Sequence, residues 1–109
     1  MNYEVEYRDD HIFIRCPFES VGNSEFESLE NILDDVSSEN VILHMVAARN
    51  FRQPTQLKKI IDRFIKQDQS FIVIATLQLL DELELTTPSA ANENEALDIL
   101  EMEEIERKI

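Results

Sequence analysis

Two short, nearly unbroken apolar segments constrain this chain more than any other feature. Val41-Ile42-Leu43-His44-Met45-Val46-Ala47-Ala48 and Phe71-Ile72-Val73-Ile74-Ala75 both lack the regular polar alternation of a half-wetted strand. Apolar runs of this length, rich in branched side chains, read as strands covered on both faces. The connection between them is helical in pattern. Leu57, Ile60, Ile61, Phe64 and Ile65 recur at helical spacing, while Lys58, Lys59, Arg63 and Lys66 point away from that stripe. Pro54 suits the first turn, where its missing N–H is not needed, and Gln67-Asp68-Gln69 closes the helix. Strand, helix and strand in succession predict a parallel, right-handed crossover with Val41–Ala48 at the centre of the sheet.

The flanking sequence extends this unit. Tyr3-Glu4-Val5-Glu6-Tyr7 alternates as a strand with one wet face, Arg8-Asp9-Asp10 supplies a turn, and His11 to Cys16 reads as the second arm of a hairpin. Pro17 cannot donate to a ladder and ends that arm. Ser24-Glu25-Phe26-Glu27 has the form of a capping box, and Phe26, Leu29, Ile32, Leu33 and Val36 follow on one helical face. Ser37 to Asn40 breaks that helix, and Asn50 to Thr55 reads as a polar loop. Leu77 to Leu85 fits either a short helix or, over Leu83-Glu84-Leu85-Thr86, an edge strand; the expectation is one helical turn followed by a short strand. Pro88 to Asn92 reads as a loop, with Asn92 capping a last helix whose inner side carries Leu97, Leu100 and Ile105. The result is an α/β fold, a mixed or parallel sheet of four to five strands with about four helices mainly on one face. In 109 residues there is room for one domain.

Composition removes several function classes. The formal net charge is −13, so nucleic acid and anionic membrane surfaces would both repel the chain. No apolar run is long enough to span a bilayer, and Met1 to Asp10 lacks the continuous apolar stretch of a secretory signal; the cytoplasm is the expected compartment. The single cysteine, Cys16, falls in an apolar strand and is expected to be a buried structural thiol. His11 and His44 fall in strands and are expected to be hydrogen-bonded structural residues, His44 on a covered side of the sheet. The only glycine, Gly22, leaves no material for a glycine-rich phosphate loop. No Cys/His cluster has metal-ligand spacing and no nucleophile motif is present, so no catalytic residue, metal or cofactor is assigned. Glu101, Glu103, Glu104 and Glu106 read as the wet face of the last helix.

One local asymmetry stands out. Arg49, Arg52, Lys58, Lys59, Arg63 and Lys66 make a basic stretch in an otherwise acidic protein. It is either the solvated back of a helix or a docking surface for an acidic protein partner, since opposed patches speed encounter and set orientation. The chain carries one such partner itself, its C-terminal helix, packed in cis or offered by a second copy.

The element order resembles the STAS domain, shared by anti-sigma-factor antagonists and the cytosolic tails of sulfate transporters. The similarity rests on Asn40-Val41-Ile42-Leu43 leading into a loop and the Pro54–Lys66 helix, on Gln69-Ser70-Phe71-Ile72-Val73-Ile74, and on Thr87-Pro88 through Glu95-Ala96-Leu97-Asp98. The tail Met102-Glu103-Glu104-Ile105-Glu106-Arg107 is similar to the C-terminus of small STAS proteins of the Bacteroidetes. The resemblance implies a regulatory protein-interaction module, or alternatively one that binds a nucleotide or lipid. STAS antagonists carry a phosphorylated serine in an Asp-Ser-Ser-Gly-type motif after the central strand. The matching segment here, Phe51 to Leu57, has no serine, aspartate or glycine. Thr55 is its only hydroxyl, open as a phosphate acceptor beside its plainer reading as a first-turn helix residue.

Overall fold

The structure, a computed structural model, describes residues 2–85 and 87–109. Strands β1 (Glu4–Tyr7) and β2 (Ile12–Arg15) form the antiparallel hairpin that the alternation predicts. After β3 (Ser20–Val21) come α1 (Asn23–Asp35), β4 (Val41–His44), β5 (Asn50–Phe51), α2 (Pro54–Lys66) and β6 (Phe71–Ile74). The chain finishes with α3 (Leu77–Leu83), β7 (Ser89–Ala90) and α4 (Glu93–Lys108). A five-stranded mixed sheet runs β1-β2-β4-β6-β7, with every pair parallel except β1–β2.

The two apolar segments are the middle of this sheet, and their side chains divide by parity. Ile12, Ile14, Val41, Leu43, Phe71 and Val73 join Phe26, Leu29, Leu33, Leu57, Ile60, Ile61, Phe64, Leu79 and Leu83 in one core beneath α1, α2 and α3. Phe13, Ile42, Ile72 and Ile74 face the other way and meet Ala90, Ala96 and Leu100 beneath α4 alone. Coverage on both faces is why these strands show no polar alternation. The hairpin's first strand, at the edge, keeps its wet side.

Several local features differ from the sequence reading. The first helix starts at Asn23, two residues earlier than a Ser24 cap allows. The Glu25 carboxylate accepts from the Gly22 N–H at 2.9 Å, so the back-bonding acid is Glu25, not Glu27. The expected strand Val41–Ala48 stops at His44, because Met45 to Ala48 turn over, with the Ala48 N–H donating to the Met45 carbonyl. The Asn50–Thr55 loop contains β5, which pairs in parallel with β3. The leucine-rich segment is a seven-residue helix. Thr76 caps it, and Glu84 ends it in the left-handed region at φ 49°, so no strand forms at Leu83 to Leu85; Thr86, the last residue of that expected strand, lies outside the described residues. The short fifth strand lies instead at Ser89–Ala90, inside the segment expected to be a loop, where it gains β6 as a partner.

The last helix begins where expected, with the Asn92 side chain accepting from the Glu95 N–H at 2.9 Å. Its inner face is Ala96 and Leu100, with Leu97 half-buried, while Ile105 is exposed. At 100° per residue, Ile105 is 140° from Leu100, so only distortion could bring both inward. Similarly Ile65, at the margin of the α2 stripe, is partly exposed while Leu57, Ile60, Ile61 and Phe64 are buried. Asp68 adopts φ 60° in the turn that closes α2.

Candidate functional site

The basic residues singled out in the sequence lie along one side of the molecule. Arg49 and Arg52 flank β5, and the parallel β3–β5 pair holds this stretch against the entry to α1: the Arg49 N–H donates to the Glu19 carbonyl at 2.7 Å and the Arg52 N–H to the Val21 carbonyl at 3.0 Å. α2 follows, its apolar stripe seated on the sheet and its opposite side carrying four cations against one carboxylate, Asp62. Lys59, Arg63 and Lys66 are spaced by four and three residues and form one exposed ridge. Lys58 lies on its flank, half-buried.

Two of these charges are engaged within the chain. Arg63 reaches Asp34 of α1 at 3.3 Å, and Arg49 approaches Glu19 at 3.7 Å. Both pairs are solvent-exposed, where such contacts contribute under about 1 kcal/mol and yield readily to a competing partner. Among the described residues, Arg52, Lys58, Lys59 and Lys66 make no ion pair. The expectation that the acidic last helix could neutralise this surface in cis is not met: α4 packs on the opposite face of the sheet.

The N-terminus of α2 also faces outward. Gln53 occupies the cap position, but its side-chain amide donates to the Asn23 side chain and leaves the first turn without a side-chain cap. Thr55 is exposed in that turn. Its position suits a first-turn helix residue, and a phosphate there would lie near the positive end of the helix.

The remaining polar residues are occupied structurally. Cys16 is buried, its thiol directed to the Phe18 carbonyl, and burial pushes its pKa up, which suppresses the thiolate. The His11 ring is buried, with Nδ1 2.6 Å from Asp10 but Nε2 without a hydrogen-bond partner, so the expected bonding is met on one side of the ring alone. His44 sits half-buried beside the Phe13 ring, and its Nδ1 has no hydrogen-bond partner, contrary to the expectation of a fully bonded ring. Arg8 and Arg15 lie over Phe13 at 4.4 and 5.2 Å from the ring centre and are held by Glu6 and Glu93, and by Glu4. The hydrogen bond from Arg8 holds Glu93 below the usual carboxylate range. The two arginines complete with α4 the cover over Phe13, a role that sequence reasoning did not assign.

Burial, reinforced by the Arg15 charge, lowers the His44 pKa. Its folded value is then below the unfolded value of about 6.5, so neutral His44 is favoured by folding. The contribution is intact above that pH and declines as pH falls toward the folded value. His44→Gln is expected to remove this part of the acid sensitivity. The wild type should lose more Tm than the variant between about pH 7.5 and about pH 5.5, the interval that brackets free imidazole. Equal losses would refute the assignment.

A cleft of about 410 Å³ opens at the opposite end of the sheet, where Ser70, Thr87, Glu103 and Arg107 converge. Its polar groups already bond to one another: the Ser70 hydroxyl donates to Glu103 at 2.5 Å and accepts from Arg107. Thr87 donates to the Phe71 carbonyl. No group of three or more His, Cys, Asp or Glu side chains is placed to hold a metal among the described residues, and no described helix is long and apolar enough to cross a membrane. No known protein-family profile matches the chain, and no curated protein matches it.

Proposed function

We propose that this chain is a single-domain, STAS-like regulatory module of the cytoplasm that works by docking, without chemistry of its own, and captures a protein partner through the Asn50–Lys66 segment. The observation that carries this reading is the ridge of Lys59, Arg63 and Lys66 on α2, exposed and opposed by few carboxylates in a protein of net charge −13. Retaining on one helix of so acidic a chain four cations, of which only Arg63 is ion-paired among the described residues, favours an acidic partner over simple solvation. The absence of the serine motif makes it a module without the usual phospho-switch.

Topology supports protein docking over the small-ligand alternative. The crossovers β2–β4, β4–β6 and β6–β7 all step in one direction across the sheet. A crevice between strands arises where successive crossovers diverge, and this order has no such point. The cleft at the other end has its polar groups mutually satisfied, so a nucleotide there would have to displace the Ser70–Glu103–Arg107 contacts.

Charge reversal provides the test. Lys59→Glu together with Arg63→Glu should reduce partner capture from a native extract by at least about tenfold, because reversing close charges costs more than deleting them. Far-UV circular dichroism should remain unchanged, since both side chains are exposed. Undiminished capture would remove α2 as the interface.

A further inference from the structure

The longest helix, α4, buries only Ala96 and Leu100 fully. Its opposite side is not the uniformly polar surface of a peripheral helix. Met102, Ile105 and Ile109 recur at i, i+3 and i+7 and are 61%, 52% and 99% exposed. At 100° per residue Met102 and Ile105 share one stripe on the side away from Leu100, and Ile109 follows just past the helix end. Asp98, Glu101 and Glu106 border it, with Lys108 the one cation on that margin. A seam of large apolar side chains in an acidic border suits a basic surface that has an apolar contact of its own.

The same molecule offers such a surface. α2 presents Lys58, Lys59 and Lys66, none ion-paired among the described residues, and beside them Ile65 at 44% exposure. The two patches are complementary in charge and both contain exposed aliphatic groups. Within one copy α2 and α4 pack on opposite faces of the sheet and approach only at their C-terminal ends, where Ile65 and Glu106 line one cleft. We infer that the outer face of α4 on one copy docks against α2 of a second copy, head to tail. The inference rests on the reading of α2 as a docking surface and names its partner as another molecule of this chain. A symmetric α4–α4 contact fits the charges less well, since it would bring two strongly acidic helices together.

A heterologous contact of this kind leaves one unmatched patch at each end of a pair, so association continues beyond two copies. The contact area is small, which makes the assembly weak and concentration-dependent. In sedimentation equilibrium the apparent mass of the wild type should rise above 12.7 kDa with concentration. It should fall back between about 0.1 M and about 1 M salt, as the screening length shrinks from about 10 Å to about 3 Å.

The decisive experiment uses two half-blocked variants. Met102→Glu with Ile105→Glu removes the seam, and Lys59→Glu with Lys66→Glu reverses the basic ridge; all four positions are exposed. Each variant alone should self-associate at least about tenfold more weakly than the wild type. Mixed in equal amounts, the two retain one good patch apiece and should form a complex that stops at twice 12.7 kDa. Three results would overturn the inference: a wild type monomeric at every concentration, a mixture that remains monomeric, or a lysine variant that self-associates like the wild type. A monomeric wild type that still captures another protein through Lys59 and Arg63 ends this inference alone. Unimpaired capture by the Lys59/Arg63 reversal ends the docking reading as well.

Discussion

Phe71→Ala is expected to lower the unfolding free energy by about 3–5 kcal/mol, seen as a lower denaturant midpoint at unchanged slope. Phe71 opens β6, pairs with Val41 across the central ladder, and is 1% exposed. Its ring meets Phe64 of α2 edge to face, with centroids 5.2 Å apart, so truncation removes both transferred area and an aromatic contact. The site cannot easily collapse to fill the gap, because rigid strands bound it and α2 is anchored by three other buried side chains. Against a typical total of about 5–15 kcal/mol, the loss would be a large fraction of stability. A loss below about 1 kcal/mol would mean that Phe71 does not pack against Phe64 as described, since even a buried methylene is worth nearly that.

The second large effect concerns a polar residue. Asn40 lies just before β4 and is almost fully buried. Its amide donates to the Asp10 carbonyl and to Glu104 of α4, each at 3.1 Å, while its oxygen accepts from the Ser70 N–H at 2.8 Å. One side chain therefore joins the starts of β2, β4 and β6 to the last helix. Asn40→Ala leaves the Ser70 N–H and the Asp10 carbonyl without their partner, and two such losses cost about 2–4 kcal/mol in thermal or chemical unfolding. Asn40→Asp should recover part of this, and in a pH-dependent way. The carboxylate still accepts from Ser70 but cannot donate, and it faces Glu104. The new carboxyl's folded pKa is thus raised above the unfolded value of about 3.9, so the deficit should grow as pH rises through the folded value and shrink on acidification. A deficit independent of pH would show that Glu104 is not its neighbour.

Much of the scaffold was legible in the residues because periodicity reports burial directly. The Val41–Ala48 and Phe71–Ala75 runs read as doubly covered strands and are so over Val41–His44 and Phe71–Ile74; the Leu57–Ile65 stripe reads as the inner face of a helix and is so as far as Phe64. Asn92 was legible as a cap because an Asn side chain can bond the N–H three residues on without tertiary help. Short elements were not legible for the converse reason. β3, β5 and β7 are two residues each, and their existence depends on a distant partner supplying the ladder. Glu84 and Asp68 take left-handed conformations that neither side chain announces.

The basic ridge was legible as a list of residues, but not as a surface. That Lys59, Arg63 and Lys66 share one ridge follows from helical spacing alone. That the acidic α4 packs across the sheet from α2, leaving Lys59 and Lys66 without an ion pair among the described residues, follows only from the tertiary structure. The Phe13 lid and the Asn40 junction are likewise invisible in sequence, since Arg8 reaches Glu93 over 85 residues and Asn40 reaches Glu104 over 64. The chain by itself determined the αβ alternation, the inner faces of α1 and α2 and the sign of each charged segment, all of which arise from neighbours within a few residues. The tertiary structure alone decided which strands were completed, which helix took which face, and which charges met. Those outcomes depend on surfaces brought together from opposite ends of the chain, and local propensity carries no information about them.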